Sequence, residues 1–574
     1  MRRHSLPVSV SLTLGACFAF HQPVQAASDA DIAARQAEII QQRQQQQLLQ
    51  DREDAQRAIA PGGVNLKAMQ PTVSSGSQTG KCHDISRILI ENSPKLSKAS
   101  RQAIDARFAG HCLGSMQISE ILGLITKDYI DQGYVSARAY LPSQDLSSGS
   151  LHIVVVEGRI ESIKIEDGGK HSVSVGNAFP FLQGKTLNLR DLEQGIDQIN
   201  RLQSNDAKLD IQPGSMPGDS VVVVRNEASR PIHLFATYDN QGAVSTGANE
   251  GSATVTLDSL AGFNELFSYT HRESLPDNNG DHFSLADDFN LSLPLGYHTF
   301  SVDVNRSKYN NVLTLPSGAH ETATGSNKTA TFGWNQVVFR DQDSRLSVGA
   351  SLTTKDARNY FADQYLTVSS RKLSVLDLKT SWSTAVGRSY LNTDLDYARG
   401  LAEFGAMHDS GILPGDQPHA QFQKMTLDFH LHVPLELGRE HFSYDGEIFS
   451  QQAFSTLYGS EQLMIGGLYS VRGFVNNTLS GDNGYYWRND LAWQHPFVIG
   501  GETFNGKVYV AIDTGWVSNR NADLQGGHLT GAAAGLQLQW RGLNWELFRS
   551  APISFPEFMT RESAQTWFRV SASL

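Results

Sequence analysis

One arginine stands in a glycine-rich segment whose residue types indicate an ion pair. Arg472 lies in the run Val471-Arg472-Gly473-Phe474, shortly after the pair Gly466-Gly467. If this segment folds into an interior, the guanidinium loses bulk water and needs a carboxylate partner. A carboxylate can accept two parallel hydrogen bonds from one guanidinium, which fixes the geometry of the pair. The segment therefore predicts a loop held by a buried Arg–carboxylate contact.

Asp513 is the candidate partner of this arginine. Polar and apolar residues alternate around it, as in a strand with one apolar face. Asp513 belongs to the polar face of this predicted strand, and Val508, Val510 and Ile512 belong to the apolar face. The alternative is that Arg472 only caps a turn and that Asp513 contacts water.

The sequence gives little support for a catalytic, metal or nucleic-acid site. HExxH, GxSxG and Walker motifs are absent, which argues against metal hydrolases, serine hydrolases and nucleotide-dependent enzymes. The 18 histidines are scattered, and His430 and His432 alternate along one run, where a polar strand face is favoured over a metal site. The formal net charge is −12, which argues against a nucleic-acid partner. We expect no enzyme, no metal and no cofactor.

The N-terminus predicts export. Residues 1–26 contain a basic start, an apolar middle and a small residue at Ala26, as in a secretory signal peptide. A lipoprotein signal ending at Cys17 is the alternative. Cleavage after Ala26 leaves Cys82 and Cys112, and two cysteines in an exported chain are expected to form a disulfide; two buried free thiols are the alternative.

A polar helix is predicted to follow the signal peptide. Residues 27–60 are rich in Ala, Gln, Arg and Glu, which are good helix formers, but contain few apolar residues. Such a helix cannot be held in a dry core, so it lies in a wet site or forms a solvated tail. Residues 61–80 are predicted to be a flexible linker.

Two small α+β modules come next, and they resemble each other in element order. Residues 81–158 form the first module, with predicted helices at 98–109 and 119–132 and strands around them. Residues 159–229 form the second module, with a predicted helix at 189–202. A repeated unit of this size suggests stacked binding modules, and spacers are the alternative.

Period-2 alternation dominates residues 230–574. The clearest run has apolar Met425, Leu427, Phe429, Leu431 and Val433, with polar residues between them. A soluble sandwich and a transmembrane barrel both produce this pattern. Short connectors (293–297, 340–344) and long ones (273–282, 309–328) favour a barrel, for which the length accommodates about 16 strands.

The chain resembles the outer-membrane transporters of two-partner secretion (TpsB type) along nearly its whole mature length. The segment Val471-Arg472-Gly473-Phe474 is similar to the loop motif of their superfamily, and Tyr238–Gly242 and Ala398–Leu401 are similar to barrel segments. Arg190–Glu193, Asn200–Leu202 and Pro213-Gly214 resemble the second POTRA domain of the family. The terminal Leu574 departs from the Phe that more often ends such barrels.

This resemblance implies a mainly β fold: a 16-stranded transmembrane antiparallel β-barrel, two periplasmic POTRA domains and an N-terminal helix that plugs the pore. It implies that a partner exoprotein, an adhesin, cytolysin or contact-dependent-inhibition toxin, crosses the outer membrane through a monomeric barrel surrounded by lipid. In that family the loop arginine contacts an acidic residue on a barrel strand, which Asp513 matches. An assembly factor of the same superfamily and a plain porin are the alternative functions.

Overall fold

The protein consists of a helix, two α+β modules and a large closed sheet. The computed structural model describes residues 29–54, 82–170, 172–275, 281–315, 317–411 and 413–573. The predicted signal peptide, the predicted linker at 61–80 and the terminal Leu574 lie outside the described residues. Among the described residues, no helix is both long enough and apolar enough to cross a membrane.

The first module packs two helices against a small sheet. Its elements are β1 (His83–Ile85), β2 (Arg87–Glu91), α2 (Lys98–Phe108), β3 (His111–Leu113), α3 (Ser115–Asp131), β4 (Arg138–Tyr140) and β5 (Ser150–Val156), numbered after the N-terminal helix α1 (Asp29–Asp54). Ile121, Ile125 and Tyr129 are fully buried at helical spacing on α3 against Leu151 and Ile153 of β5. Cys82 and Cys112 form a disulfide, with their Cα atoms 5.3 Å apart.

The second module repeats this plan in a shorter form. Its elements are β6 (Arg159–Glu166), α4 (Val175–Ala178), α5 (Leu189–Asn200), β7 (Ala207–Pro213) and β8 (Asp219–Asn226). The sheet order is β6-β8-β7, and Leu192 and Ile199 of α5 are fully buried against Val222 and Val224 of β8. The opposite face of α5 is therefore available for other contacts.

Within the described residues, sixteen long antiparallel strands close into a barrel. They are β9 (Ile232–Asp239), β10 (Glu250–Asp258), β11 (Leu266–Ser274), β12 (Phe283–Leu295), β13 (His298–Thr314), β14 (His320–Arg340), β15 (Ser344–Phe361), β17 (Arg371–Val386), β18 (Ser389–Leu401), β19 (Gln423–Leu437), β20 (Glu440–Ala453), β23 (Asn483–Ile499), β24 (Glu502–Ser518), β25 (Gly527–Trp540), β26 (Leu543–Ser554) and β27 (Gln565–Ser573). Strand β27 pairs with β9 and completes the closure. The short pieces β16 (Gln364–Tyr365), β21 (Leu463–Ile465) and β22 (Leu479–Gly481) lie in loops.

The two faces of the barrel follow the period-2 pattern. The apolar residues Leu427, Val510 and Ile512 point outward and are exposed, whereas polar residues on the other phase line the lumen. Short turns close one end, here called the turn end, and longer connections close the other, here called the loop end. The turn end lies against the second module.

The predicted connector at 309–328 is wrong, because β13 continues to Thr314 and β14 begins at His320. The sequence predicts a loop here because Ser, Thr, Asn and Gly occupy both faces of the stretch. Beyond the apolar band of a barrel neither face meets lipid tails, so a strand can continue there without hydrophobic alternation.

The disulfide of the first module is expected to contribute to its stability. Replacing Cys82 and Cys112 with alanine frees a segment of 30 residues, which should lower the free energy of unfolding of this module by about 3–4 kcal/mol. Urea-dependent proteolysis of the purified chain measures this as earlier cleavage within residues 83–158. An unchanged urea midpoint for that cleavage would contradict the expectation.

Candidate functional site

Helix α1 lies inside the barrel and contacts its lumenal wall through glutamine side chains. Gln41 donates to Asn359 Oδ1 at 3.1 Å, and Gln44 donates to Ser284 Oγ at 2.8 Å. Gln47 donates to Glu250 Oε2 at 2.8 Å. Amide side chains satisfy a polar wall without burying charge, so the polar composition of this helix suits a water-filled lumen.

Five charged side chains connect α1 to the seam where the barrel closes. Asp51 is fully buried and accepts from Arg272 of β11 at 2.9 Å and from Arg569 of β27 at 2.7 Å. Arg272 also donates to Asp239 of β9 and Glu250 of β10. The helix therefore contributes one carboxylate to a network that joins the first three strands of the barrel with the last.

A second buried network holds the loop between β20 and β23. The Arg472 guanidinium donates to Asp513 of β24 through Nε at 2.6 Å and through Nη2 at 2.7 Å. It also donates to Asp490 of β23 at 2.8 and 3.1 Å. The Arg472 side chain is 6% exposed and that of Asp513 is 0% exposed. Two carboxylates thus satisfy one buried guanidinium, as removal of a charge from water requires.

Two glycines allow the loop backbone to approach the barrel wall. Gly473 has a φ of +105°, which side-chain-bearing residues rarely adopt, and a Cβ there would lie 2.4 Å from the Ala551 carbonyl. A Cβ on Gly531 of β25 would lie 1.7 Å from the Arg472 carbonyl oxygen. Both positions need glycine because backbone meets backbone there.

Apolar and polar contacts hold the rest of the loop. Val471 and Phe474 are buried in a cluster with Ile465 and Val517. The Glu562 carboxylate, between β26 and β27, accepts from the backbone N–H groups of residues 475–477 at 2.7–3.3 Å. These contacts therefore hold the loop to the barrel wall in addition to the Arg472 ion pairs.

A cavity of about 1090 Å³ remains beside the Arg472 ion pairs. Gln50 of α1, Gln203 of the second module and lumenal residues such as Asn505 and Gln537 line it. The lumen is therefore narrowed by the helix and the loop and is not filled by them.

The second module contacts the turn end of the barrel through the free face of α5. Arg340 of β14, 5% exposed, donates to Asp197 at 2.5 Å, and the Tyr297 hydroxyl donates to Asp191 at 2.6 Å. Arg201 donates to Ser292 Oγ at 2.8 Å. Burial raises the pKa of the Asp197 carboxyl above its usual range despite Arg340, and burial lowers the pKa of Arg201 to about 10.

The structure brings together the predicted pair Arg472 and Asp513, but Asp490 and the Asp51 network were missed. Asp490 lies within the Gly/Tyr/Asn run at 481–490, and its lumenal phase on a strand could have indicated it. Asp428, His430 and Glu447 place ligand atoms within 4.8 Å of one another. Glu447 also accepts from Tyr486 and Arg488, and a polar strand face in place of a metal site stays a prediction.

Comparisons with known proteins assign the family. Residues 218–538 match the family described as haemolysin secretion/activation protein ShlB/FhaC/HecB. Residues 83–158 match the ShlB-type POTRA domain, and residues 159–213 match a further POTRA domain. The chain belongs to this family. It is an outer-membrane transporter of two-partner secretion. Its barrel lies in the outer membrane, and its two POTRA modules lie in the periplasm.

Relatives and solved structures agree with this assignment. The chain is 32% identical to the outer membrane transporter CdiB of Dickeya dadantii (strain 3937), over 100% of this chain and 99% of that protein. It is 32% identical to the hemolysin transporter protein ShlB of Serratia marcescens, over 88% and 86%. The structure of CdiB from Escherichia coli superposes with a TM-score of 0.83 at 29% identity, over 94% of this chain and 99% of that one.

The Arg472 contacts predict the effect of two substitutions. Asp513→Asn removes a charge from the buried pair, and Arg472→Lys removes the planar fork of the guanidinium. Each change should destabilise the loop position by about 3–5 kcal/mol. We expect each variant to form a heat-resistant barrel and to release little exoprotein into the medium. Normal release from Arg472→Lys would show that the fork geometry is not needed, and Arg358→Lys on the outer face provides the matched control.

Proposed function

We propose that this transporter exports one partner exoprotein, an adhesin, cytolysin or contact-dependent-inhibition toxin, through the barrel lumen after α1 has left it. The position of α1 inside the lumen supports this proposal most directly, since the helix narrows the passage while Gln41, Gln44 and Gln47 hold it to the wall. The proposal assigns the chain no catalytic step. It acts as a monomer with lipid around its apolar outer band.

The chemistry of the α1 contacts suits reversible release. Gln41, Gln44 and Gln47 are buried while the helix is in place. A neutral hydrogen bond contributes only about 0.5–1.5 kcal/mol net, because water replaces the lost partner after release. The apolar side chains that the helix buries are few and mostly small, and two of them, Ala37 and Ile40, contact Tyr309 of β13. A large dry interface would have to be rebuilt after each passage, whereas this interface can exchange with water.

The loop around Arg472 is proposed to stay while α1 moves. Its Arg472 contacts are with β23 and β24, and Glu562 holds its next residues, so these contacts do not need the helix. Among the described residues, two side chains of α1 donate to this loop: Arg43 to the Val475 carbonyl oxygen and Gln42 to the carbonyl oxygens of Gly459 and Gln462. The loop then forms one fixed side of the passage.

Recognition of the exoprotein is proposed to begin on the POTRA modules. Strand β4 is an edge strand of its sheet, and Tyr140 and Leu141 are 53% and 42% exposed beside it. An extended peptide can add to such an edge through main-chain hydrogen bonds. Strand β7 is also an edge strand, so the second module offers a comparable surface. Folding of the exoprotein outside the cell would then prevent its return.

A reversible crosslink tests whether α1 must leave. Gln44→Cys with Ser284→Cys puts a thiol on each side of a contact in which the Gln44 side chain now reaches Ser284 Oγ at 2.8 Å. Because Cys is shorter than Gln, a bifunctional methanethiosulfonate reagent, which forms one disulfide with each thiol, should hold the helix to β12. We expect the crosslinked double variant to release less than about a tenth of the wild-type amount of exoprotein, and a reductant to restore release. Secretion into the medium, measured by immunoblot, gives the result.

Each single cysteine variant, treated identically, controls for loss of the Gln44 contact and for reduction of the native disulfide. Full secretion by a double variant that is shown to be crosslinked would refute passage through a vacated lumen.

A further inference from the structure

Three cations lie close together on the outer face of the barrel, away from the lumenal site. They are Arg306 and Lys308 of β13 and Lys328 of β14, and all three are exposed. We call them the cationic patch. Arg306 and Lys328 are register partners, and Lys308 follows Arg306 by two residues on the same face.

The neighbouring residues show that this face points outward. Ser307 and Tyr309 of β13 are 2% and 3% exposed, and Tyr309 contacts α1 in the lumen. The alternate residues of the strand therefore face away from the lumen. Toward the turn end, the same outer face carries Val304 on β13, and Ala330 and Phe332 on β14.

The patch stands at the upper edge of this apolar surface. Arg306 and Lys308 lie 8 and 10 residues from the start of β13 at His298. A strand rising about 3.3 Å per residue and tilted by about 40° places them roughly 20–25 Å above the turn end. An outer-membrane barrel carries an apolar band about 25 Å tall, so the cations reach the headgroups of the outer leaflet.

Positively charged side chains outnumber carboxylates around the patch. The register partner of Arg306 on β12 is Asp287, which attracts Arg306 at longer range while its Oδ1 accepts from Tyr269 and His271. The register partner of Lys328 on β15 is Asp356, which binds Arg358 and Lys372. Within the described part of the chain, no carboxylate lies within 4.0 Å of the cationic nitrogens of the patch.

Like charges placed directly opposite on one face of a sheet destabilise it. Arg306 and Lys328 have this arrangement, and Lys308, Arg358 and Lys372 add positive charge along the same edge. An anion bound between the two strands would offset the repulsion. Phosphate suits the patch, because arginine offers a planar fork and lysine a compact charge to its oxygens.

We propose that the cationic patch binds the phosphate groups of a glycolipid headgroup in the outer leaflet, of the lipopolysaccharide class. The position of the patch favours a lipid over a soluble anion. The acyl chains of a lipid bound there would lie on Val304, Ala330 and Phe332, directly below the cations. The site fixes one lipid against β13 and β14, and the lumenal face of β13 contacts α1 through Tyr309.

The test compares lipid binding by the purified full chain and by Arg306→Gln/Lys308→Gln/Lys328→Gln. Native mass spectrometry of the barrel, titrated with bisphosphorylated lipid A, reports the fraction that carries lipid. We expect the affinity of the triple variant to fall roughly 10- to 100-fold, since each basic residue at a membrane surface contributes to anionic lipid binding. Heat-resistant migration in electrophoresis shows that the variant barrel is folded.

The control variant Arg388→Gln/Arg439→Gln/Arg541→Gln removes the same charge from exposed turns at the periplasmic end and should bind lipid A within twofold of wild type. Wild-type protein should bind dephosphorylated lipid A as weakly as the triple variant binds the phosphorylated form. This second comparison uses wild-type protein and therefore does not depend on the folding of a variant. Equal binding of both lipids, or undiminished binding by the triple variant, would overturn the proposal. Displacement by equimolar inorganic phosphate would show a simple anion site and overturn the lipid assignment.

Discussion

Pairing of buried charge in the lumen is the constraint on which the rest of the structure depends. Sixteen strands enclose a wide polar interior that no dry core can fill, so the helix and the loop inside must be held by ions and amides. Arg472 with Asp490 and Asp513 holds the loop, and Asp51 with Arg272 and Arg569 holds the helix. Removing one partner leaves another charge buried, so each network favours a single position for its segment.

The same constraint explains how the POTRA modules are attached. Helix α5 uses its apolar side for the module core and its charged side for the barrel turns, where Arg340 and Arg201 are the main donors. A polar contact of this kind orients the second module on the turn end and keeps the sheet edges of both modules available to a peptide. Orientation of the binding modules toward the pore thus follows from the amphipathic sequence of one helix.

The sequence indicates some of these features better than others. Alternation along β19 and β24 indicates which residues face outward, because that pattern is local and is set by lipid on one side. The pairing of Arg472 with Asp513 could be predicted from a motif and a strand phase. The Asp51 network could not, since its members Arg272 and Arg569 are 221 and 518 residues away in sequence. The extension of β13 and β14 was missed because alternation ends where the lipid tails end.

If α1 leaves the lumen as proposed, the two lumenal networks keep different contacts. Arg472 keeps both of its carboxylates, which belong to β23 and β24. Arg272 loses Asp51 but keeps Asp239 and Glu250, so strands β9, β10 and β11 remain connected through it. The contact from Asp51 to Arg569, which links the helix with the last strand, ends as well. Departure of the helix would therefore remove a bridge beside the pairing of β27 with β9, together with the Gln42 and Arg43 contacts with the loop, and would leave the Arg472 ion pairs in place.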